Sequence, residues 1–180
     1  MKIFNTRNNL IDSLPKNLKV AELGVFKGDF SNDILNIMKP SELHLVDIWN
    51  GTFGSGDKDG KNHTIVEDMQ KVYENICEKY KYNNTILVHK KSTLEYLSTI
   101  KDDFFDMIYI DADHSFSAVV NDLMQSFLKI KHNGYLCGHD YIIGSEVAAA
   151  VELFCKFYNQ KVNAITKDGC PSFIITIDKN

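Results

Sequence analysis

The chain has 180 residues, enough for one domain with a full hydrophobic core. Apolar residues make up 44% and charged residues 24%, as in an ordinary soluble globular protein, and the formal charge of −4 supplies no basic field for nucleic acid. The four cysteines, Cys77, Cys137, Cys155 and Cys170, are scattered without a CxxC pair, so neither a disulfide framework nor a cysteine-rich zinc site is expected, and idle thiols in a reducing compartment are.

The opening "MKIFNTRNNLIDSLP" lacks the continuous apolar core of a signal peptide, and no later run approaches membrane-spanning length, so a cytoplasmic protein with no membrane partner is expected. Residues 1–17 read as an N-terminal extension of a single domain spanning 1–180. "NLKVAELGV" predicts a first strand from Leu18 to Leu23, stopping at Gly24. In "GDFSNDILNIMKP", Phe30, Ile34, Leu35 and Met38 share one helical face, and Pro40 follows the end. "ELHLVDIW" predicts a second strand with Asp47 at its tip.

The polar stretch "NGTFGSGDKDGKNH", with Gly51, Gly54, Gly56 and Gly60, predicts a long loop, and Gly51–His63 is expected to act as a mobile lid. "TIVEDMQKVYENICEKY" predicts a helix and "TILVHK" a third strand. Ser92 caps a short helix in "STLEYLSTI". "FFDMIYI" is apolar almost throughout, as expected of a fourth strand covered on both faces. "SFSAVVNDLMQSFLKI" predicts a helix that His132-Asn133-Gly134 stops, and "YLCGHDY" a fifth strand. The helix "SEVAAAVELFCKFY" follows, then the strands "KVNAIT" and "SFIITID", joined by a turn at "KDGCP". The alternation argues for an α/β, Rossmann-like doubly wound sheet, and the final hairpin requires one antiparallel strand.

In such sheets ligands bind beyond the carboxyl ends of the strands. Here five strand tips carry "ELGVFKG", Asp47, "HKKS", "DADH" and "HDY", so acids and histidines gather at one edge. Gly24 and Gly28 let a ligand approach the backbone, yet their spacing is no GxGxxG fingerprint. Glu22, closing an apolar strand, would repel a phosphate and welcome a cationic amino group. Asp47 follows at about the separation at which an acid grips ribose hydroxyls in nucleotide folds. S-adenosylmethionine, an adenosine ligand with positive charge and no phosphate, suits both carboxylates.

Together "VAELGVFKGDFS", "HLVDIW", "DMIYIDADHSFSAVVNDL" and "NGYLCGHDYI" resemble class I S-adenosylmethionine-dependent methyltransferases of the methyltransferase domain 24 type. That type is related to sugar O-methyltransferases of macrolide and aminocoumarin pathways and, more distantly, to catechol O-methyltransferases. The resemblance implies a seven-stranded sheet of order 3-2-1-4-5-7-6 with strand 7 antiparallel. It implies that Glu22, Gly24, Val25, Phe26 and Gly28 surround the methionine part of the cofactor. Asp47 would hold the ribose, Ile48 and Trp49 would lie beside the adenine, and Lys91 and Ser92 near the base. Asp111 would stand near the sulfonium and the methyl-accepting centre. Asp111, His139 and Asp140 match the positions where metal-using relatives hold a divalent ion, with His139 where those relatives often carry an acid. Such a set suits Mg2+ or Mn2+.

Each residue has a plainer reading. His114 either caps the helix beginning at Ser115 or, like His139, acts as a catalytic base. Asp113 reads as a helix N-terminal acid, Tyr141 as packing, and His63, His89 and His132 as background. A nicotinamide-dependent oxidoreductase and a non-catalytic S-adenosylmethionine-binding module are the alternative functions; the missing GxGxxG weighs against the first and the Asp111–His114–His139–Asp140 cluster against the second. The expected reaction is O-methylation of a hydroxyl on a sugar or small polar metabolite. The Gly51–His63 loop, the N-terminal segment or a partner subunit in a homo-oligomer would shape the acceptor pocket.

Overall fold

The structure is a computed structural model, and it describes residues 1–55 and 65–179. Among these, eight strands form one sheet: β1 (Lys2–Phe4), β2 (Lys19–Leu23), β3 (Glu42–Asp47), β6 (Ile86–Lys90), β7 (Phe105–Ile110), β8 (Ile130–Gly138), β9 (Ala164–Thr166) and β10 (Phe173–Thr176). Their order is β1-β9-β10-β8-β7-β2-β3-β6. Read from the other edge, this is the expected 3-2-1-4-5-7-6 arrangement with an additional strand, β1, beyond it. All pairings are parallel except those of β10, which runs antiparallel to both β8 and β9.

The eighth strand corrects the expectation of seven. Lys2–Phe4 pairs in parallel with Ala164–Thr166, and the helix α1 (Arg7–Asp12) follows. Thr6 caps α1 by accepting the Asn9 N–H at 3.3 Å, while Leu10 and Ile11 are buried. Residues 1–17 are therefore integral to the fold.

Side chains alternate across the central strands and divide the core in two. Val20, Leu43, Leu45, Met107 and Tyr109 pack with α1, with α2 (Asp29–Asp33), which continues as a π-helical turn over Ile34–Met38, and with α3 (Met69–Tyr80). Ala21, Leu23, Val46, Ile108 and Ile110 pack with α4 (Thr93–Ser98), α5 (Phe116–Lys129) and α6 (Glu146–Phe157). Each fully buried aliphatic side chain contributes about 1.5–3 kcal/mol. The helices thus wind on both faces, and the strand order reverses direction between β2 and β7, the place where such sheets hold ligands.

Several stretches depart from the expected elements: β8 already begins at Ile130 and takes in the His132-Asn133-Gly134 expected to stop α5. The helix expected from Thr64 begins at Met69; Ile65–Asp68 is a strand, β5, paired antiparallel with β4 (Thr52–Ser55). Asp68 then caps α3 by accepting the Gln70 N–H at 3.0 Å. The expected loop therefore starts with a strand, and the remainder of the lid, 56–63 with His63, lies outside the described residues. His89 is not background. It lies 3.1 Å from His44, whose ring also meets Glu42 and the Tyr96 hydroxyl at 2.5 Å each, a polar network under the β3–β6 edge. Among the described residues, no helix is long and apolar enough to cross a membrane.

Candidate active site

The tip of β2 is fixed by close backbone approach. Gly24 has φ +91°, and a Cβ there would fall 2.0 Å from the Asp111 carbonyl oxygen, so only glycine lets the tips of β2 and β7 meet. Gly28, at φ +76°, precedes α2, and its missing Cβ leaves room for Ile76, whose Cδ1 would stand 2.6 Å away. Between them the turn is tied to β3 by Asp47. One carboxylate oxygen accepts the Val25 and Phe26 N–H groups at 2.9 Å each, and the other accepts that of Trp49 at 2.8 Å. A carboxylate offers roughly four acceptor positions. These three bonds leave one acceptor position open, on Oδ1.

Trp49 is placed differently from the expectation. Its backbone turns through φ +36°, its ring is fully buried against Tyr73, and its indole N–H donates to the Phe26 carbonyl at 2.9 Å. It belongs to the core beneath the turn and is not among the residues that line the cleft. Ile48, 56% exposed, faces the cleft instead.

Glu22 is 1% exposed and accepts a hydrogen bond from the Ser31 hydroxyl at 2.5 Å. Burial pushes its carboxyl up to about 8, Ser31 opposing and the charge of Asp111 adding to the rise. A carboxylate on a ligand-facing wall at such cost is poised for a cation, whose arrival would restore its charge.

Parallel pairing of β7 and β8 sets Ile110 opposite Gly138, so Asp111 and His139 leave the sheet side by side. The His139 Nδ1 lies 3.6 Å from Asp111 and 3.5 Å from Asp140. The His114 Nε2 lies 3.2 Å from Asp140 and 3.6 Å from Asp111. Burial works against ionised Asp111, but the two imidazoles outweigh it and hold its carboxyl down at about 2. His114 is raised above the ordinary imidazole range, chiefly by Asp111; His139 is raised as well, its burial outweighed by the same carboxylates. Ligand atoms of Asp111, His139 and Asp140 lie within 4.8 Å of one another. Neighbouring oxygen ligands of one ion stand about 3 Å apart at bond lengths near 2.1 Å, so small side-chain movements would bring these donors onto a divalent cation. The donor set, one imidazole and two carboxylates with Asp111 already ionised, fits such an ion.

Glu22, Asp47, Asp111 and His114 open onto one cleft of about 710 Å³, of a size that takes a nucleoside ligand. Glu22, Gly24, Val25, Phe26, Asp47 and Ile48 form one wall. Lys91, Ser92, Asp111 and His114 form the other; Asp113, whose carboxylate accepts the Ser115 N–H at 2.8 Å, stands there as the expected helix-start acid. Gly28 shapes the turn without lining the cleft, and His139 and Asp140 also lie outside its lining. Tyr141 packs on Phe173. Sequence reasoning missed Arg7, which reaches the cleft from α1, and Thr93, whose hydroxyl donates to the buried Asp122 at 2.5 Å.

Residues 21–141 match the family model Methyltransf_24, described as "Methyltransferase domain". The chain belongs to this family, and its fold is that of class I S-adenosylmethionine-dependent methyltransferases. Fibrillarin of Aeropyrum pernix, solved with natively bound S-adenosyl-L-methionine, superposes with a TM-score of 0.66 at 9% identity, over 94% of this chain and 73% of that one. The Bacillus subtilis M1A22 tRNA methyltransferase TrmK gives 0.64 at 15% identity, over 98% and 67%. Spermidine synthase of Thermotoga maritima gives 0.57 at 15% identity, over 92% of this chain and 55% of that one, so this chain spans about half its length. At these identities the likeness is one of fold. No curated protein matches the chain in sequence.

Proposed function

We propose that the protein transfers the methyl group of S-adenosylmethionine to a hydroxyl of a sugar or similarly small polar metabolite. The observation that carries this reading is the meeting of Asp111, His114, His139 and Asp140 at the tips of β7 and β8, beside a cleft whose far wall holds Glu22 and Asp47. Glu22 would take the cofactor's ammonium. The open position on Asp47 would accept one ribose hydroxyl, with Ile48, Lys91 and Ser92 around the base. The sulfonium would then face Asp111, whose retained negative charge favours it.

Transfer to a hydroxyl needs an oxygen aligned with the methyl group and relieved of its proton. His114, or His139 where no cation is bound, would take that proton, and a positioned base contributes roughly 10²–10⁴-fold. Both are raised in pKa, so each accepts a proton only after losing its own, and the rate should climb as pH rises through their raised values. Asp111, His139 and Asp140 would hold a divalent cation, which when bound supplies Lewis acidity to the acceptor oxygen. With an imidazole among the ligands, manganese suits the set better than magnesium.

The test is transfer of labelled methyl from S-adenosylmethionine to a panel of sugars and polyols, with and without a chelator. Labelled ether products are expected, lost in chelator and restored by Mn2+. Full activity in chelator would remove the cation and leave the histidine base. Label appearing only on amines or thiols would overturn the hydroxyl acceptor.

A further inference from the structure

We infer that Arg7 grips the carboxylate at the amino acid end of the cofactor, making the N-terminal segment part of the binding site. The inference rests on the cofactor reading above and names a residue for it. Arg7 opens α1, on the same face of the sheet as Glu22, Phe30 and Ser31, and its side chain lines the cleft. Its guanidinium carbon sits 4.2 Å over the Phe30 ring, a stacking that sets the plane and leaves the edges of the fork for a ligand. Its nearest carboxylate is that of Asp111, and at 3.8 Å the pair is too long for a hydrogen bond.

The chemistry of the ligand makes a cation necessary here. The ammonium and carboxylate of an amino acid leave the same carbon, so whatever holds the first decides where the second lands. With the ammonium at Glu22, the carboxylate arrives near Glu22 and Asp111, both acidic. Lys91 follows β6, beyond β3 from the tip of β2, and its backbone N–H is bound to the Asp47 carbonyl at 3.0 Å, on the side read above as the nucleoside's. Lys27 also lines the cleft, its ammonium 5.3 Å over the Phe26 ring, but it is a point charge, whereas the planar guanidinium of Arg7 binds a carboxylate by two parallel hydrogen bonds. The strand β1 then has a role: its pairing with β9 anchors the segment that carries Arg7 to the cleft.

Calorimetric titrations of the full chain with S-adenosylhomocysteine and with 5′-methylthioadenosine, which has no amino acid part, test the inference. Arg7→Met keeps much of the stem on Phe30 and should weaken S-adenosylhomocysteine roughly tenfold or more, leaving methylthioadenosine binding unchanged. Arg7→Lys, with its charge but no fork, should fall between. An equal loss for both ligands, or none for S-adenosylhomocysteine, would overturn the role of Arg7 while the cofactor reading stood. Wild-type protein that bound neither nucleoside would overturn both.

Discussion

Glu22 concentrates the chemistry of the cleft in one side chain. Its carboxyl is buried and raised from an ordinary 4.5 to about 8, so at pH 7 the empty protein carries it mostly protonated. The groups that face it are Ser31, Asp111, Arg7 and Asp47. A bound ammonium favours the ionised form, and cofactor binding at pH 7 should release up to about one proton. Calorimetry in buffers of different ionisation enthalpy would show this as buffer-dependent heats, abolished in Glu22→Gln; buffer-independent heats in the wild type would contradict it. The linkage has a second sign. Between 4.5 and about 8 the folded protein holds a proton that the unfolded chain does not, so the stability tied to neutral Glu22 is complete at low pH and declines as pH rises toward 8. The positions of Glu22 and Asp47 at the strand tips were legible because each acid closes an apolar strand, but the three backbone bonds by which Asp47 holds the turn were not. Arg7 was not, since nothing in "NTRNNL" tells that a short helix will turn one side chain into a cleft formed by residues from 22 to 118.

At the scale of elements, the turn from β2 to α2 depends on a tie that the sequence hid. Asp47 and Trp49 together hold four hydrogen bonds to the backbone at Val25, Phe26 and Trp49 itself, and the indole fills the space beneath. Trp49→Ala should cost about 3–5 kcal/mol of stability, the range for losing a large buried aromatic. Trp49→Phe should cost less, near the 0.5–1.5 kcal/mol of a hydrogen bond plus a small void. Denaturant unfolding checks both; unchanged stability with lost S-adenosylhomocysteine affinity would return the indole to the adenine. The burial of Trp49 follows from its left-handed backbone at φ +36°, which no periodicity announces. Long, strongly patterned elements such as β7 and α5 were legible. β1 has three residues and α1 six, too few to display a period, and the β-branched Ile65-Val66 pair was absorbed into the helix that follows. The His44–His89 contact needed the register of β3 against β6, which sets Val46 opposite His89 and carries the two rings together across the strands.

At the scale of the molecule, helix and strand alternation specifies the winding, and the winding specifies where a ligand sits. β2 and β7 lie at the reversal of strand order, and their tips carry the glycine turn and the Asp111 cluster. The terminal β9–β10 hairpin and β1 complete the far edge and lead the chain's first helix back over the cleft. The central claim is that this cleft is an S-adenosylmethionine site. Equilibrium titration of the protein with S-adenosylhomocysteine tests it most directly. Saturable binding of one molecule per chain is expected, weakened by about 1.5–3 kcal/mol or more in Asp47→Ala, which loses the ribose contact and also the three backbone bonds that hold the turn. An absence of binding to the folded wild-type protein, or full affinity in that variant, would contradict it.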